Sequence, residues 1–251
     1  MLSGAAVGRA TLVDMAIRGR WMKWVIGAAV LVVLLAVAVP FSYIHFIEGK
    51  APAPLGLKPG SGHSSASTSS PSGTASTSVS GRWRTSAGSV VGYRVNEVLV
   101  GQKNLAVGRT HQVTGRLAIT GSTLTAATFT VPMASIHSDQ SERDVQFDGR
   151  IMDVAAYPTG TFTLTRPIAL DPVPAIGEVK TYPATGKLTL HGHTRAVTFT
   201  LSAKRTATSI EVSGSIPVLF ADWDIPNPSF GSFVTTQNHG VLEFLLSFTR
   251  A

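Results

Sequence analysis

A ten-residue block near the C-terminus, residues 186–195, constrains the fold more than any other part of this 251-residue chain. Leu188 and Leu190 alternate with polar residues before a short turn around Gly192. The apolar side chains after the turn alternate in the same way, at Val197, Phe199 and Leu201. Alternation with a period of two on both sides of a Gly-containing turn is typical of a β-hairpin. The block therefore predicts two antiparallel strands joined by a tight turn.

The residues of this block, and their order with respect to other short motifs, resemble the YceI-like family. The block reads Gly-x-Leu-Thr-Leu-x-Gly-x-Thr-Arg. Other motifs that carry the resemblance are Ser135-Ile136, Glu142-Arg143-Asp144, Met152-Asp153-Val154, Tyr157-Pro158, Asp222-Trp223-Asp224-Ile225 and Glu243-Phe244. The resemblance covers residues 81–251. It implies a lipocalin-like antiparallel β-barrel that binds polyisoprenoid lipids.

The pattern of short alternating runs indicates an all-β domain over residues 81–251. Eight runs are predicted to be strands: 90–95, 113–120, 125–133, 161–166, 184–190, 196–203, 209–218 and 241–249. Eight strands without a long helix are typical of a closed antiparallel barrel or a sandwich. One short helix is predicted over 138–149, with Ser138 or Asp139 as the N-cap and Glu142 in the first turn.

The apolar side chains that share one face of each strand are the candidates for the interior of the barrel. An eight-stranded barrel either fills with side chains or holds one slender ligand. The resemblance favours the ligand, and we expect the apolar residues of the inner faces to form the wall of the lipid site. These are Phe129, Val131, Met133, Phe147, Phe162, Leu164, Phe199 and Trp223. A shift of one residue in strand parity would move the strand residues among them to the outer face.

Charged residues in the barrel domain offer less specific candidates. Arg143 is predicted either to meet a polar or pyrophosphate head-group at the barrel mouth or to pin the helix in a structural ion pair. His191 and His193 have the i, i+2 spacing of metal ligands on a strand. They bracket Gly192 in a turn, and no third ligand is evident, so we expect an ordinary turn and no metal site. No cofactor is predicted apart from a bound isoprenoid.

The N-terminal part of the chain is predicted to be a membrane anchor. Residues 24–43 are apolar almost throughout, and the apolar character continues to residue 47, which is long enough to cross a bilayer. Basic residues crowd the N-terminal side, at Arg9, Arg18, Arg20 and Lys23, which predicts a cytoplasmic segment over 1–23 and an extracytoplasmic barrel. The alternative is a cleaved signal peptide and a secreted protein, because Ala36-Val37-Ala38 has the small-x-small form. The long apolar run favours the uncleaved signal-anchor over 24–47.

Residues 48–80 separate the predicted anchor from the barrel. From residue 61 to residue 80 nearly every residue is Ser, Thr, Gly, Ala or Pro. Such a composition buries too little apolar surface to offset the entropy of ordering. The segment is therefore predicted to be a flexible tether.

The composition excludes several classes of function. The chain has no cysteine, which excludes disulfides and thiolate metal sites. The formal net charge is +7, but the basic residues of the barrel domain are scattered among acids, which argues against a nucleic-acid partner. No Ser-His-Asp arrangement or phosphate-binding glycine loop is evident, so we expect no enzyme.

The sequence thus predicts a single-pass membrane protein with an eight-stranded lipocalin-like barrel on the outer side of the cytoplasmic membrane. The expected function is binding, sequestration or transport of an isoprenoid quinone or a polyprenyl phosphate. The alternative is a solid barrel that serves as an interaction or stress-protective module of the cell envelope. An enzyme that acts on envelope lipids is a third candidate, and a homodimer is compatible with the sequence.

Overall fold

The computed structural model of the chain describes residues 26–34, 51–57, 78–99, 101–231 and 233–251. The chain divides into two compact units, Met1–Lys50 and Ala51–Ala251. In the first unit, residues 26–34 form a helix, α1. No helix in the described part of the chain has both the length and the apolar character needed to cross a membrane. The other residues of the predicted 24–47 anchor, and all of the predicted 1–23 segment, lie outside the described residues.

The second unit is built almost entirely of β-strands. In chain order they are β1 (Gly81–Thr85), β2 (Val90–Leu99), β3 (Gln102–Thr110), β4 (Thr114–Thr120), β5 (Thr123–Pro132), β6 (Thr159–Leu164), β7 (Ile168–Ala169), β8 (Val179–Leu190), β9 (His193–Arg205), β10 (Ser209–Leu219), β11 (Val234–Thr236) and β12 (His239–Arg250). Short helical segments follow β5 and β10: 3-10 turns at Met133–Ser135 and Phe220–Trp223, α2 at Ser141–Gln146 and a π-turn at Phe147–Ile151.

The strands close into an eight-stranded antiparallel barrel. Their order around the wall is β1-β4-β5-β6-β8-β9-β10-β12, and β12 pairs with β1 to complete the circle. Strand β2 also pairs with β12, at residues 241–245, just before the residues of β12 that pair with β1, and the hairpin of β2 and β3 extends the wall there. All pairings between strands of this sheet are antiparallel, which allows the short connections that the sequence contains. The all-β barrel with a short helix agrees with the prediction.

The hairpin predicted from the 186–195 block is formed by β8 and β9. Their register ends at the pair Leu190 and His193, which leaves a two-residue turn. His191 and Gly192 both have positive φ, 47° and 75°. A turn with positive φ at both central residues matches the right-handed twist of the flanking strands. Glycine is needed here for space as well, since a Cβ at Gly192 would lie 2.6 Å from Cε1 of Tyr157.

The predicted elements differ from the observed ones at several points. Each predicted strand overlaps an observed strand, but the sequence reading missed β1, β3, β7 and β11. The observed α-helix is shorter than the predicted helix over 138–149, because it spans only Ser141–Gln146 and begins after Gln140. Ser138 is outside the helix: its N–H and hydroxyl both donate to Oδ1 of Asp144, 2.8 and 2.7 Å away. The carboxylate of Asp144 thus ties the loop to the helix in place of the predicted N-cap.

Candidate functional site

The inner faces of the strands enclose an apolar cavity of about 200 Å³, called here the main cavity. Side chains from most of the strands around the barrel contribute to its wall. Of the predicted site residues, six line it: Phe129, Val131, Met133, Phe162, Leu164 and Phe199. The alternating residues of β12 line it as well, at Leu242, Phe244, Leu246 and Phe248. The strand parity assumed from the sequence is therefore the parity of the structure.

Five phenylalanine rings form a belt around the main cavity. Neighbouring ring centroids are 5.6–6.3 Å apart, in the range of favourable aromatic pairs. The belt runs in the order Phe248, Phe129, Phe162, Phe199 and Phe244, so it begins and ends on β12. Large, mutually fixed rings of this kind give the cavity a stable apolar surface.

Glycines behind three of these rings explain why the barrel is hollow. An ideal Cβ would lie 2.2 Å from Phe129 if built at Gly115, 2.4 Å from Phe162 at Gly186 and 2.6 Å from Phe244 at Gly214. Each ring therefore lies against the backbone of a neighbouring strand, in the space that a side chain would otherwise take. Because the rings occupy the space beside these glycines, less of the centre of the barrel is filled.

A second cavity of about 110 Å³ lies beside the segment that contains α2. Its wall includes the predicted residues Phe147 and Arg143 and also Tyr93, which the sequence reading did not select. The rings of Tyr93 and Phe147 stack with their centroids 5.2 Å apart. Burial raises the pKa of the Tyr93 phenol well above its ordinary value, so this group stays neutral. The second cavity is thus also mainly apolar.

The guanidinium of Arg143 is held by two carboxylates. Its Nη1 lies 2.5 Å from Oδ1 of Asp139, and its Nη2 lies 3.3 Å from Oε1 of Glu97. Burial alone would lower the pKa of Arg143, but the charges of Glu97 and Asp139 outweigh it and raise the pKa above its ordinary value. The side chain is only 16% exposed. This geometry is the structural ion pair that the sequence left as one of two alternatives, and a head-group contact stays a prediction.

Trp223 does not line either cavity, which differs from its predicted place in the lipid wall. It belongs to the 3-10 turn after β10, is 3% exposed and packs within the apolar core. Its indole N–H donates to the carbonyl of Leu188, 3.4 Å away. The turn carries the ring away from the inner strand faces, so Trp223 packs in the core and not in the cavity wall.

The predicted turn histidines have ordinary structural contacts. The ring of His191 lies 4.5 Å from that of Tyr157, and its Nδ1 is 3.3 Å from the carbonyl of Trp223. His193 begins β9 and is exposed. Across the described ranges, no group of three or more potential ligands is arranged to hold a metal ion.

The outer wall carries a cluster of charges that the sequence reading did not select. Glu243 is 3% exposed, and its Oε1 lies 2.7 Å from Nη2 of Arg109 and 3.4 Å from Nη1 of Arg94. Glu243, Gly92 and Arg109 are register partners on β12, β2 and β3. Gly92 has no side chain, which lets Arg109 reach across β2 to Glu243. A Cβ at Gly92 would lie 2.8 Å from Cγ of Arg109. We call Arg94, Arg109 and Glu243 the outer cradle.

Residues 51–57, which fall in the predicted flexible tether, are docked in the outer cradle. The carbonyls of Pro52 and Ala53 accept hydrogen bonds from Arg94 and Arg109. The N–H of Leu55 donates to Oε2 of Glu243, 3.0 Å away, and the N–H of Leu57 donates to the Ser213 hydroxyl. Residues 51–57 of the predicted tether are therefore part of the barrel unit. Residues 58–77 lie outside the described residues, and their predicted flexibility stays a prediction.

Comparison with solved structures finds proteins that are similar to this chain. A polyisoprenoid-binding domain from Saccharophagus degradans is 18% identical, with a TM-score of 0.57, and the match covers 68% of this chain and 98% of that domain. BcnA from Burkholderia cenocepacia is 20% identical, with a TM-score of 0.48 and coverage of 62% and 95%. The YCEI protein of Campylobacter jejuni is 14% identical, with a TM-score of 0.44 and coverage of 57% and 84%.

Sequence comparison identifies the family. None of the curated proteins matches this chain. The family model of the YceI-like domain matches residues 71–248, which includes every strand of the barrel except the last residues of β12. The match thus covers the main cavity, the second cavity and the hairpin of β8 and β9, and the chain belongs to the YceI-like family.

Proposed function

We propose that this protein binds the chain of a polyisoprenoid lipid inside its barrel and carries it without chemical change. The observation that carries the proposal is the main cavity of about 200 Å³, whose wall is mostly apolar and is formed by residues of every barrel strand except β1. A solid barrel would have its centre filled by side chains. The glycines behind the phenylalanine belt leave this one open.

The driving force for such binding is the removal of apolar surface from water. Each methylene group of a buried chain contributes about 0.8 kcal/mol. An engineered apolar cavity of about 150 Å³ is large enough to hold benzene, so a cavity of about 200 Å³ holds the first part of a branched hydrocarbon chain. A long prenyl chain needs further space, which the second cavity can supply.

The choice of a polyisoprenoid over other apolar ligands rests on the family. The similar domain of Saccharophagus degradans is described as polyisoprenoid-binding. Isoprenoid quinones and polyprenyl phosphates both have the long branched chain that a phenylalanine-lined tunnel would accommodate. The apolar cavities take either of them, because the chain supplies most of the buried surface.

We also propose that the barrel works at the outer side of the cytoplasmic membrane. The apolar run over 24–47, preceded by basic residues, supports a signal-anchor with this orientation. A barrel tethered there would lie close to the bilayer that contains such lipids. We expect protease added to spheroplasts to digest the barrel. Protease added to intact inverted vesicles should leave the barrel uncut.

The decisive experiment is mass spectrometry of organic extracts from the purified full chain. The expected result is one isoprenoid at near-stoichiometric amounts. In Phe162→Asp, a charge replaces a ring of the belt, and we expect the lipid to be lost. Thr163→Asp is the matched control, because Thr163 is the next residue of β6 and is exposed.

Circular dichroism must show the same strand content in all three proteins. If Phe162→Asp fails to fold, Ala127→Leu is the second variant, since it narrows the main cavity with apolar atoms only. A clean extract from the folded wild-type protein would overturn the proposal in favour of a barrel without ligand. Chemical conversion of the lipid on incubation would instead indicate an enzyme.

A further inference from the structure

The main cavity and the second cavity meet at a thin partition inside the barrel. Four residues line both cavities: Met133, Ile136, Leu190 and Leu242. We call these residues the septum. The second cavity has roughly half the volume of the main one, so opening the septum would extend the space for a chain substantially.

Two septum side chains meet above a glycine of β6. An ideal Cβ at Gly160 would lie 3.1 Å from Sδ of Met133 and 3.3 Å from Cδ2 of Leu190. Met133 and Leu190 are each 5% exposed. At this point the ends of two side chains separate the cavities, and a change of rotamer can open the partition here.

Met133 is the septum residue best suited to move. Its backbone is fixed, since its N–H donates to the carbonyl of Pro158 and its carbonyl accepts from the N–H of Ile136. Its side chain is unbranched with three rotatable bonds, which lets methionine adapt to irregular spaces. Ile136, in contrast, is branched at Cβ and has few rotamers available. A chain that pushes on the septum would displace the thioether first.

We infer that Met133 is the gate between the two cavities and sets the length of the chain that the barrel accepts. This inference rests on the proposed function. Short chains fill the main cavity alone, with the gate closed. Longer chains swing the Met133 side chain aside and enter the second cavity, where the stacked rings of Tyr93 and Phe147 contact them.

The test measures the affinities of farnesol, with fifteen carbons, and of solanesol, with forty-five, for the full chain and its variants. In Met133→Ala the gate is absent, so we expect the ratio of the affinity for solanesol to the affinity for farnesol to rise. Two further buried methylenes correspond to about tenfold in affinity, which sets the scale of the expected gain. In Met133→Phe the partition is larger, and solanesol binding should fall below wild type.

Met152→Ala is the comparison variant. Met152 is also 5% exposed and lines the second cavity, but it does not line the main cavity. A gain for solanesol in Met152→Ala equal to that in Met133→Ala would overturn the inference. An unchanged ratio of the two affinities in Met133→Ala would overturn it as well, while leaving the proposed function intact. Failure of every folded variant and of the wild type to bind either prenol would overturn both.

Discussion

At the scale of single residues, the main cavity depends on glycines, which have no side chain. Gly186, in the block that first indicated a hairpin, lies behind the ring of Phe162. Its partner in the register of β8 and β6 is Leu164, two residues from that phenylalanine. Gly115 and Gly214 contact the rings of their direct register partners, Phe129 and Phe244, so at all three positions a glycine and a phenylalanine on adjacent strands pack together.

Gly186→Ala tests this pairing. The added Cβ would lie 2.4 Å from Cζ of Phe162 and 2.6 Å from the carbonyl oxygen of Thr163. We expect overpacking to lower the free energy of unfolding by about 1–3 kcal/mol, and the displaced ring to reduce the amount of bound lipid. Urea denaturation and lipid extraction measure the two effects. Gly149→Ala is the control, because nothing lies within 4 Å of its Cβ, and equal stability losses in both would contradict the prediction.

A half-buried aspartate, Asp148, gives a prediction that depends on pH. Burial, and to a lesser degree the charge of Asp144, raises the pKa of Asp148. Its Oδ1 has no hydrogen-bond partner among the described residues. Because ionisation is harder in the folded state than in the unfolded state, the Asp148 carboxylate makes the fold less stable as the pH rises through the raised pKa.

Asp148→Asn should therefore raise the melting temperature at pH 7. The gain should shrink as the pH falls and disappear below about 3.9, the ordinary pKa of an aspartate, where both states are protonated. Melting curves between pH 3 and pH 8 measure this dependence. Asp222→Asn, at an exposed position, is the comparison, and a gain for Asp148→Asn that is constant with pH would rule out this account.

At the scale of elements, the outer cradle fixes a segment that looks like a linker. The contacts of residues 51–57 use mainly their backbone N–H and carbonyl groups. Glu243 would be a costly buried charge without its partners, and Arg94, Arg109 and the Leu55 N–H supply them. These contacts hold residues 51–57 of the predicted tether on the barrel unit.

Arg109→Met tests the docking. The variant keeps an unbranched apolar side chain but loses the hydrogen bonds to Glu243 and to the Ala53 carbonyl. We expect a protease that cleaves after leucine to cut at Leu55 and Leu57 several-fold faster than in the wild type. Arg116→Met changes an exposed arginine of β4 and serves as the control. Equal cleavage rates in the wild type and Arg109→Met would show that the cradle does not hold the segment.

The sequence predicts a strand when its buried apolar residues alternate regularly with residues of the outer face. Strand β12 was predictable, because Leu242, Phe244, Leu246 and Phe248 alternate with residues of the outer face. Strand β3 was not, since Lys103, Asn104 and Arg109 interrupt its apolar residues. The outer cradle could not be predicted, because its charged side chains come together only when β2, β3 and β12 pair. The backbone groups that dock against it are common to all residues, so they give no sequence signal.

At the scale of the whole molecule, the closed wall joins the ligand site to the stability of the fold. The main cavity is lined by strands that follow one another around the barrel, and β12 pairs with β1 to close it. Unfolding any part of the wall would open the cavity. A ligand that binds only the closed barrel must therefore stabilise the barrel as one unit.

Thermodynamic linkage makes this a quantitative prediction. A prenol present at one hundred times its dissociation constant should raise the free energy of unfolding by about 2.7 kcal/mol. The barrel should still unfold in a single transition at a higher temperature, as followed by circular dichroism and by tryptophan fluorescence together. Isopentenol, which has the polar end but only one isoprene unit, should give little shift. Phe162→Asp should lose the response to the long prenol, because its charge lies in the cavity wall. A shift seen by one probe alone would mean that the ligand binds outside the closed barrel, since only the enclosed site involves the strands on every side.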